Sequence, residues 1–410
     1  MYAIVNASEI LQIKDNGKPR SGKEMSELNL ITDHTIVIDK EKIIDILPEK
    51  ELKNKYPNIK LIDAQYNLVM PGLCDSHTHL VFGGSRHVEF EMRASGIDYM
   101  EIHRKGGGIQ SSVYATRKIP EEKLYRTSLK RLKDLFKYGT TSVEIKSGYG
   151  LDLETEMKQL KVANKLKDLN PDIKTTFLGA HSKPEEFDTH TEFIEYLNKK
   201  VLPVIADEGL ADFIDIFCEK GVFSPDDARK HLNEGKKYGL IPKLHADELA
   251  YSKAAEVASE VGAISADHLL CASEDALSSM KENNVIATLL PATLYNLAKK
   301  EYPKARLMID SIKLPVALAS DFNPGSCYCE NLFLTMHIAC QYMKMTPAEV
   351  IVATTINGAY AMGLEKDCGS IQIGKNADIL IIDAPNYQYL PYHFGINPVK
   401  KVIKRGVVLQ

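Results

Sequence analysis

Nowhere in this 410-residue chain do 18 apolar residues run together, which is about the length a membrane-crossing helix needs. A membrane-spanning protein is therefore not expected. The opening MYAIVNASEILQIKDNG has no basic stretch followed by an apolar core, so export is not expected either. A basic excess is also missing. Lys and Arg number 51 against 55 Asp and Glu, for a formal net charge of −4, and the signs are intermixed along the chain, which leaves no stripe to attract nucleic acid. The seven cysteines (Cys74, Cys218, Cys271, Cys327, Cys329, Cys340 and Cys368) are odd in number and scattered, unlike a disulfide framework. A reducing cytoplasm is the expected setting.

Several local motifs are absent in the same way. Cys327-x-Cys329 is too tight for the usual zinc spacing and has no second pair, so it reads as loop packing. RKGGGIQ at 104–110 lacks the lysine spacing of a phosphate loop and reads as a turn or loop. The serine of SDFNPGS sits in no G-x-S-x-G elbow, which argues against serine hydrolysis. Internal repeats, low-complexity tracts and Pro/Gly/Ser linkers are also missing, so no third independent domain is expected.

What is present is an ordinary globular composition, 44% hydrophobic and 26% charged. From Tyr2 to about Asn67 short β-like pieces such as TIVIDKEKIIDIL alternate with polar turns, and the segment from Gly369 onward does the same with ADILIID and VKKVIKRGVVLQ. The two ends are expected to pair into a small β-sandwich domain (1–66 with 357–410). Between them, over 67–356, eight apolar runs alternate with amphipathic stretches: LVMPGLCD, TTSVEI, KTTFLGA, ADFIDIFC, LIPKLHA, GAISADH, VIATLLP and PVALASD. Eight βα units over about 290 residues predict a (β/α)₈ barrel, with a doubly wound open sheet as the alternative. The stretch Glu122–Tyr138 is one such helix, with Leu129, Leu132, Leu135 and Phe136 on one side and its lysines and arginines toward water.

A barrel makes a specific demand, because its chemistry sits where strands end at the C-terminal face. Polar residues gather there: the first run exits into His77 and His79, the third into His181, the fifth into His245, the sixth at His268 and the eighth at Asp321. On an extended strand His77 and His79, two residues apart, point the same way. His77, His79, His245 and Asp321 form a nitrogen and oxygen set suited to Zn²⁺ or Fe²⁺ and poor for Mg²⁺ or Ca²⁺. Singly, each has an ordinary explanation: His268 as a core histidine, Asp321 as the cap of the next helix. Their shared position at strand ends favours a site. Lys220, with Glu219 beside it, could carry a carbamate bridging two metals, but both read as solvated loop residues.

At this point the residues resemble a known family. PGLCDSHTHLVFGGSR, HAD, ADH, ASDFNPGS and GSIQIGKNADILIID together resemble the amidohydrolase superfamily. VFGGSR, GGGI, VEIKSGYGLD, FLGAH, FCEKGVFS, SADH and DFNPGSC narrow the resemblance to its members that open a cyclic amide in histidine breakdown. The resemblance spans nearly the whole chain. It implies one divalent metal, zinc or iron, on His77, His79, His245 and Asp321, and the hydrolysis of 4-imidazolone-5-propanoate to N-formimidoyl-L-glutamate. It also implies substrate or product contacts from Arg86, Tyr149, His181, Glu248, Asn323, Gly325 and Ser326. His268 would lie near the reacting carbonyl; Asp321, His268 and Glu248 would be the catalytic groups, with Asp321 as proton shuttle. A small-molecule substrate, a homodimer and a cytoplasmic location complete the expectation. Relatives often carry Ala at the position of Gly84 and Gln at that of Glu248, and of the latter pair only the carboxylate can take a proton. A nucleobase deaminase of the same superfamily is the competing enzyme, and a barrel that has lost its chemistry the non-enzymatic alternative.

Overall fold

The computed structural model describes residues 1–97, 101 and 107–409. Part of RKGGGIQ therefore lies outside the described residues.

Strands β1 (Tyr2–Leu11), β2 (Leu30–Ile31), β3 (His34–Asp39), β4 (Lys42–Pro48) and β5 (Lys60–Pro71) come from the first part of the chain. Eight short strands follow: β6 (Leu73–Thr78), β7 (Thr140–Lys146), β8 (Ile173–Ala180), β9 (Phe213–Cys218), β10 (Ile241–Ala246), β11 (Ser265–His268), β12 (Ile286–Leu289) and β13 (Val316–Leu318). The last three are β14 (Ile379–Ile382), β15 (Val399–Lys404) and β16 (Val407–Val408).

The eight middle strands pair in sequence order from β6 to β13, all parallel. The ring closes where β13 runs out: Thr78 bridges Phe322, the Asp321 N–H donates to the His77 carbonyl (3.0 Å), and the His79 N–H donates to the Phe322 carbonyl (2.8 Å). Seven of the eight runs seen in the sequence supply a barrel strand directly, while the first, LVMPGLCD, is split at Gly72: its LVMP ends β5 in the sheet of the chain ends and its LCD begins β6. The side chains of the barrel strands are almost wholly buried, as a parallel sheet covered on both faces requires. Short strands fit the helices between them because local signals stop and start each element. Ser224 and Asp227 form a capping box at the helix Pro225–Lys237, and Thr346 and Glu349 do so at Pro347–Ala353.

The helix expected at Glu122–Tyr138 spans Glu121–Lys137, with two glutamates in its first turn complementing the helix dipole. Leu132 and Leu135 are buried, and Leu129 and Phe136 pack against the same cluster. One cation departs from the expected solvated face. Arg131 is buried: its Nη1 donates to the carbonyls of Leu80 (3.0 Å) and Phe82 (2.8 Å), and the guanidinium lies 3.5 Å from the Phe82 ring centroid. The helix thereby ties down the chain leaving β6.

The two chain ends form one mixed sheet in the order β16-β15-β14-β5-β1-β3-β4, with β2 on β1. β1 and β5 run parallel, while β14 pairs antiparallel with β5 in the register Met70↔Leu380. Ions join this sheet to the barrel. Lys404 pairs with Asp172 and with Asp378 (2.7 Å), and Arg405 reaches Asp172 (2.7 Å). Among the described residues no helix is long and apolar enough to cross a membrane.

Candidate active site

The first exit carries both histidines of the opening motif. His77 and His79 point into the barrel mouth with ring centroids 5.3 Å apart, and His77 lies 4.5 Å from His245. One ring nitrogen from each of His77, His79 and His245 falls within 4.8 Å of the others. Asp321 completes the group: its Oδ1 is 3.6 Å from Nε2 of both His77 and His79.

Hydrogen bonds fix which nitrogens face the centre. His77 donates from Nδ1 to Asp267 Oδ2 (2.7 Å), and His245 from Nδ1 to Asp215 (3.1 Å to Oδ2). This leaves Nε2 of each with a free lone pair. Both Nε2 atoms, with Nδ1 of His79 and Nε2 of His268, are buried without a hydrogen-bond partner. Orphaned buried nitrogens are costly unless something binds them, and the free Nε2 atoms of His77 and His245, grouped with His79 and beside Asp321 Oδ1, fit a transition metal. Burial first, then neighbouring cations and imidazoles, holds His77 and His79 well below the ordinary histidine range. Neutral imidazole is the ligating form.

The carboxylate comes at a conformational cost. Asp321 has φ 53° and His268 φ 77°, left-handed conformations that cost about 1–3 kcal/mol each and collect at functional sites. Asp321 does not cap the following helix. Asn331 does, accepting from the N–H groups of Phe333 and Leu334. Thr293 Oγ1 donates to Asp321 Oδ2 (2.6 Å), leaving Oδ1 toward the histidines. Burial, opposed by Thr293 and His245, pushes the Asp321 carboxyl up to about 6.

Above this cluster lies a cavity of 640 Å³ lined by His79, His245, His268 and Asp321, together with Arg86, Tyr149, His181, Glu248, Asn323, Gly325 and Ser326. The expected ligands and substrate contacts thus line one cavity, except His77, which is fully buried at 0% exposure and packs against His79 and His245. Arg86 donates from Nε and Nη2 to Glu89 Oε2 (2.9 and 2.8 Å). Its Nη1 lies against Gly325, where an added Cβ would sit 1.9 Å away. His181 donates from Nδ1 to the Gly148 carbonyl (3.1 Å), stacks on His79 at 5.0 Å, and is depressed to about 3 mainly by burial. Gly148 has φ 107°, and a Cβ there would meet the Leu178 carbonyl oxygen at 2.9 Å, so the turn carrying Tyr149 needs glycine. Burial raises the Tyr149 hydroxyl. Glu248 is pushed up to about 8 by burial and by Asp321, with its Oε2 3.6 Å from His268 Nε2. The Asn323 side chain is spent on its own turn, accepting from the N–H groups of Gly325 and Ser326 (both 2.8 Å) and donating to Ser326 Oγ (2.8 Å).

One expectation changes. Lys220 is exposed, as a loop lysine should be, but Glu219 is buried at 2%. Glu219 accepts from the Leu249 N–H (2.8 Å), bracing the loop that presents Glu248. Sequence reasoning also missed Asp215 and Asp267, which orient the imidazoles, and Thr293, which orients Asp321. The signal for the first two was there: a charged residue in the middle of a buried strand, as in FIDIFC and SADH. Thr293 carried none. Cys327 packs with Ala292 and Ile338, in keeping with a loop role.

A profile of the amidohydrolase family matches residues 68–409. The chain belongs to the amidohydrolase family, and within it to the imidazolonepropionases. It is 46% identical to the imidazolonepropionase of Alkaliphilus oremlandii (strain OhILAs), over 99% of this chain and 97% of that protein. Among solved structures the fold is similar to E. coli guanine deaminase, with TM-score 0.73, 15% identity and coverage of 100% and 99% of the two chains. It is also similar to a zinc-bound adenosine deaminase from Xanthomonas campestris, with TM-score 0.72, 16% identity and coverage of 99% and 92%.

Proposed function

We infer that this chain is a metal-dependent hydrolase that opens the cyclic amide of 4-imidazolone-5-propanoate with water, giving N-formimidoyl-L-glutamate in histidine degradation. The observation that carries the reading is the cluster of His77, His79 and His245, two of them with an orphaned Nε2, beside the Asp321 carboxylate and beneath a cavity lined in part by Arg86, in a chain whose relatives bear that activity as their name. His77, His79, His245 and Asp321 would hold one divalent ion, zinc or iron, since the donor set suits either. When bound, the ion supplies Lewis acidity, lowering the pKa of a water at the site from about 15.7 toward roughly 7.

The remaining work belongs to side chains. Asp321, with Oδ2 held by Thr293, takes the proton the attacking water loses at Oδ1 and delivers it to the departing ring nitrogen. His268, neutral through burial, donates from Nε2 to the carbonyl oxygen as negative charge develops there. Arg86 directs Nη1 to the propanoate carboxylate. Glu248 and His181 hold the ring: the neutral carboxylic acid offers a donor and an acceptor, and the His181 Nε2 an acceptor. Tyr149 and the turn Asn323–Ser326 cradle the product. The resemblance also supports a cytoplasmic homodimer, which sedimentation of the purified chain tests.

The experiment is an absorbance assay for loss of the imidazolone, run beside elemental analysis of the same preparation. Turnover in proportion to about one bound zinc or iron per chain is expected. Ammonia release from a nucleobase panel, with the imidazolone untouched, overturns the reading in favour of a deaminase.

A further inference from the structure

Beneath the imidazoles the barrel interior is charged. Glu144, Lys146, Asp215, Lys243 and Asp267 are all 0% exposed, where an uncompensated charge is expensive. Lys146, the last residue of β7, donates from Nζ to Glu144 Oε1 (2.7 Å) and Asp215 Oδ2 (2.7 Å) and lies 3.5 Å from Asp267 Oδ2. Asp267 Oδ2 is the atom that accepts from His77 Nδ1, and Asp215 Oδ2 lies 3.1 Å from His245 Nδ1. One ammonium thus touches the same two oxygens that orient two imidazoles on different strands. Lys243 is just as buried, but among the described residues it pairs only with Glu144, its other hydrogen bonds going to the carbonyls of Ser76 (3.4 Å) and Ala361 (3.1 Å).

We propose that Lys146 is a positioning residue for the metal centre: its ammonium clamps Asp215 and Asp267, and through them fixes the imidazoles of His245 and His77. The inference rests on the ligand set proposed above. Without the ammonium, Asp215 and Asp267 lose the one cation within 4 Å of both among the described residues. A buried carboxylate that loses its cation lowers its energy by rotating away, which weakens its hold on an N–H donor. Removing a carboxylate's grip on a ligating histidine typically weakens metal binding 10–100-fold. Burial alone would lower the Lys146 pKa, but Asp215, Glu144 and Asp267 raise it above the ordinary lysine range, so the clamp is charged at any working pH.

The test is zinc affinity. Full-length protein stripped of metal is titrated with zinc against a chromophoric chelator, with unfolding midpoints measured on the same samples. Lys146→Gln is expected to bind zinc about 10–100-fold more weakly. Lys243→Gln, which removes an equally buried ammonium, is expected to lower the unfolding midpoint yet keep zinc affinity within about threefold. In an Asp267→Asn background the further loss from Lys146→Gln should shrink, because the two act as one unit. Zinc affinity of Lys146→Gln within threefold of wild type, equal losses from both lysines, or additive losses with Asp267→Asn would each overturn the proposal. Should Lys146→Gln not fold, the charge-compensated K146M/D267N takes its place: the Asp215 arm is then the one left to lose, so zinc binding about tenfold or more weaker than in Asp267→Asn supports the clamp, and a smaller loss refutes it. If neither variant folds, Lys146 is a folding residue and the proposal fails. A wild-type chain that takes up neither zinc nor iron overturns the ligand set itself.

Discussion

Replacing Arg86 with Met separates substrate capture from metal binding. In the structure two of the three guanidinium nitrogens are taken by Glu89, leaving Nη1 facing the cavity beside Gly325. On the proposed reading the substrate carboxylate would therefore receive one charge-assisted hydrogen bond, which is worth about 1.5–3 kcal/mol. At about 1.4 kcal/mol per tenfold, KM should rise about 10- to 150-fold. Among the described residues no hydrogen bond or ion pair joins Arg86 to the histidine cluster. Metal content should therefore not change, and kcat should stay within about threefold if the interaction is equal in ground and transition states. The assay is imidazolone loss at substrate concentrations spanning roughly three decades around the new KM, with metal counted on the same samples. A substrate analogue bearing a carboxamide should be handled alike by wild type and variant. An unchanged KM, or a fall in metal content in step with activity, refutes the assignment. Glu89, itself buried and accepting from the Gly108 N–H (3.1 Å), loses its partner, so an unfolding curve must accompany the kinetics.

Asp321→Asn should keep the Thr293 hydrogen bond but lose the proton carrier, lowering kcat by about 10²–10⁴; turnover near wild type in a metal-replete sample excludes the shuttle. Acid stability should report on Asp212. Burial opposes its ionisation, but the Thr175 N–H and the nearby Lys167 and Lys174 outweigh burial and lower its pKa. A lowered folded-state pKa adds stability that is complete above the unfolded value near about 3.9 and is lost as pH falls through the folded one. Asp212→Asn should therefore cost most at pH 7 and progressively less below about pH 4 in urea unfolding. A difference that stays constant with pH removes ionisation from the explanation.

Much of the site was legible because its residues sit at strand ends. His77, His181, His245, His268 and Asp321 each close an apolar run, and a barrel brings all such ends to one mouth. The resemblance added Arg86, Tyr149, Glu248 and the Asn323–Ser326 turn, and the structure brings all of them to the same cavity. Arg131 and Glu219 were misjudged for one reason: each stands beside an exposed lysine, Lys130 or Lys220, and the groups it bonds, the carbonyls of Leu80 and Phe82 or the N–H of Leu249, lie far along the chain.

The sequence by itself determined the eight alternating units, the pairing of the two ends and the chemical identity of the donors, since periodicity and residue type are local properties. Only the tertiary structure decided which lone pairs are free. That choice depends on Asp267 reaching His77 across 190 residues and Asp215 reaching His245 across 30, and on a buried lysine touching both carboxylates. Such pairings exist only once the barrel has closed, because no local pattern records which inward-facing side chains will meet across its interior.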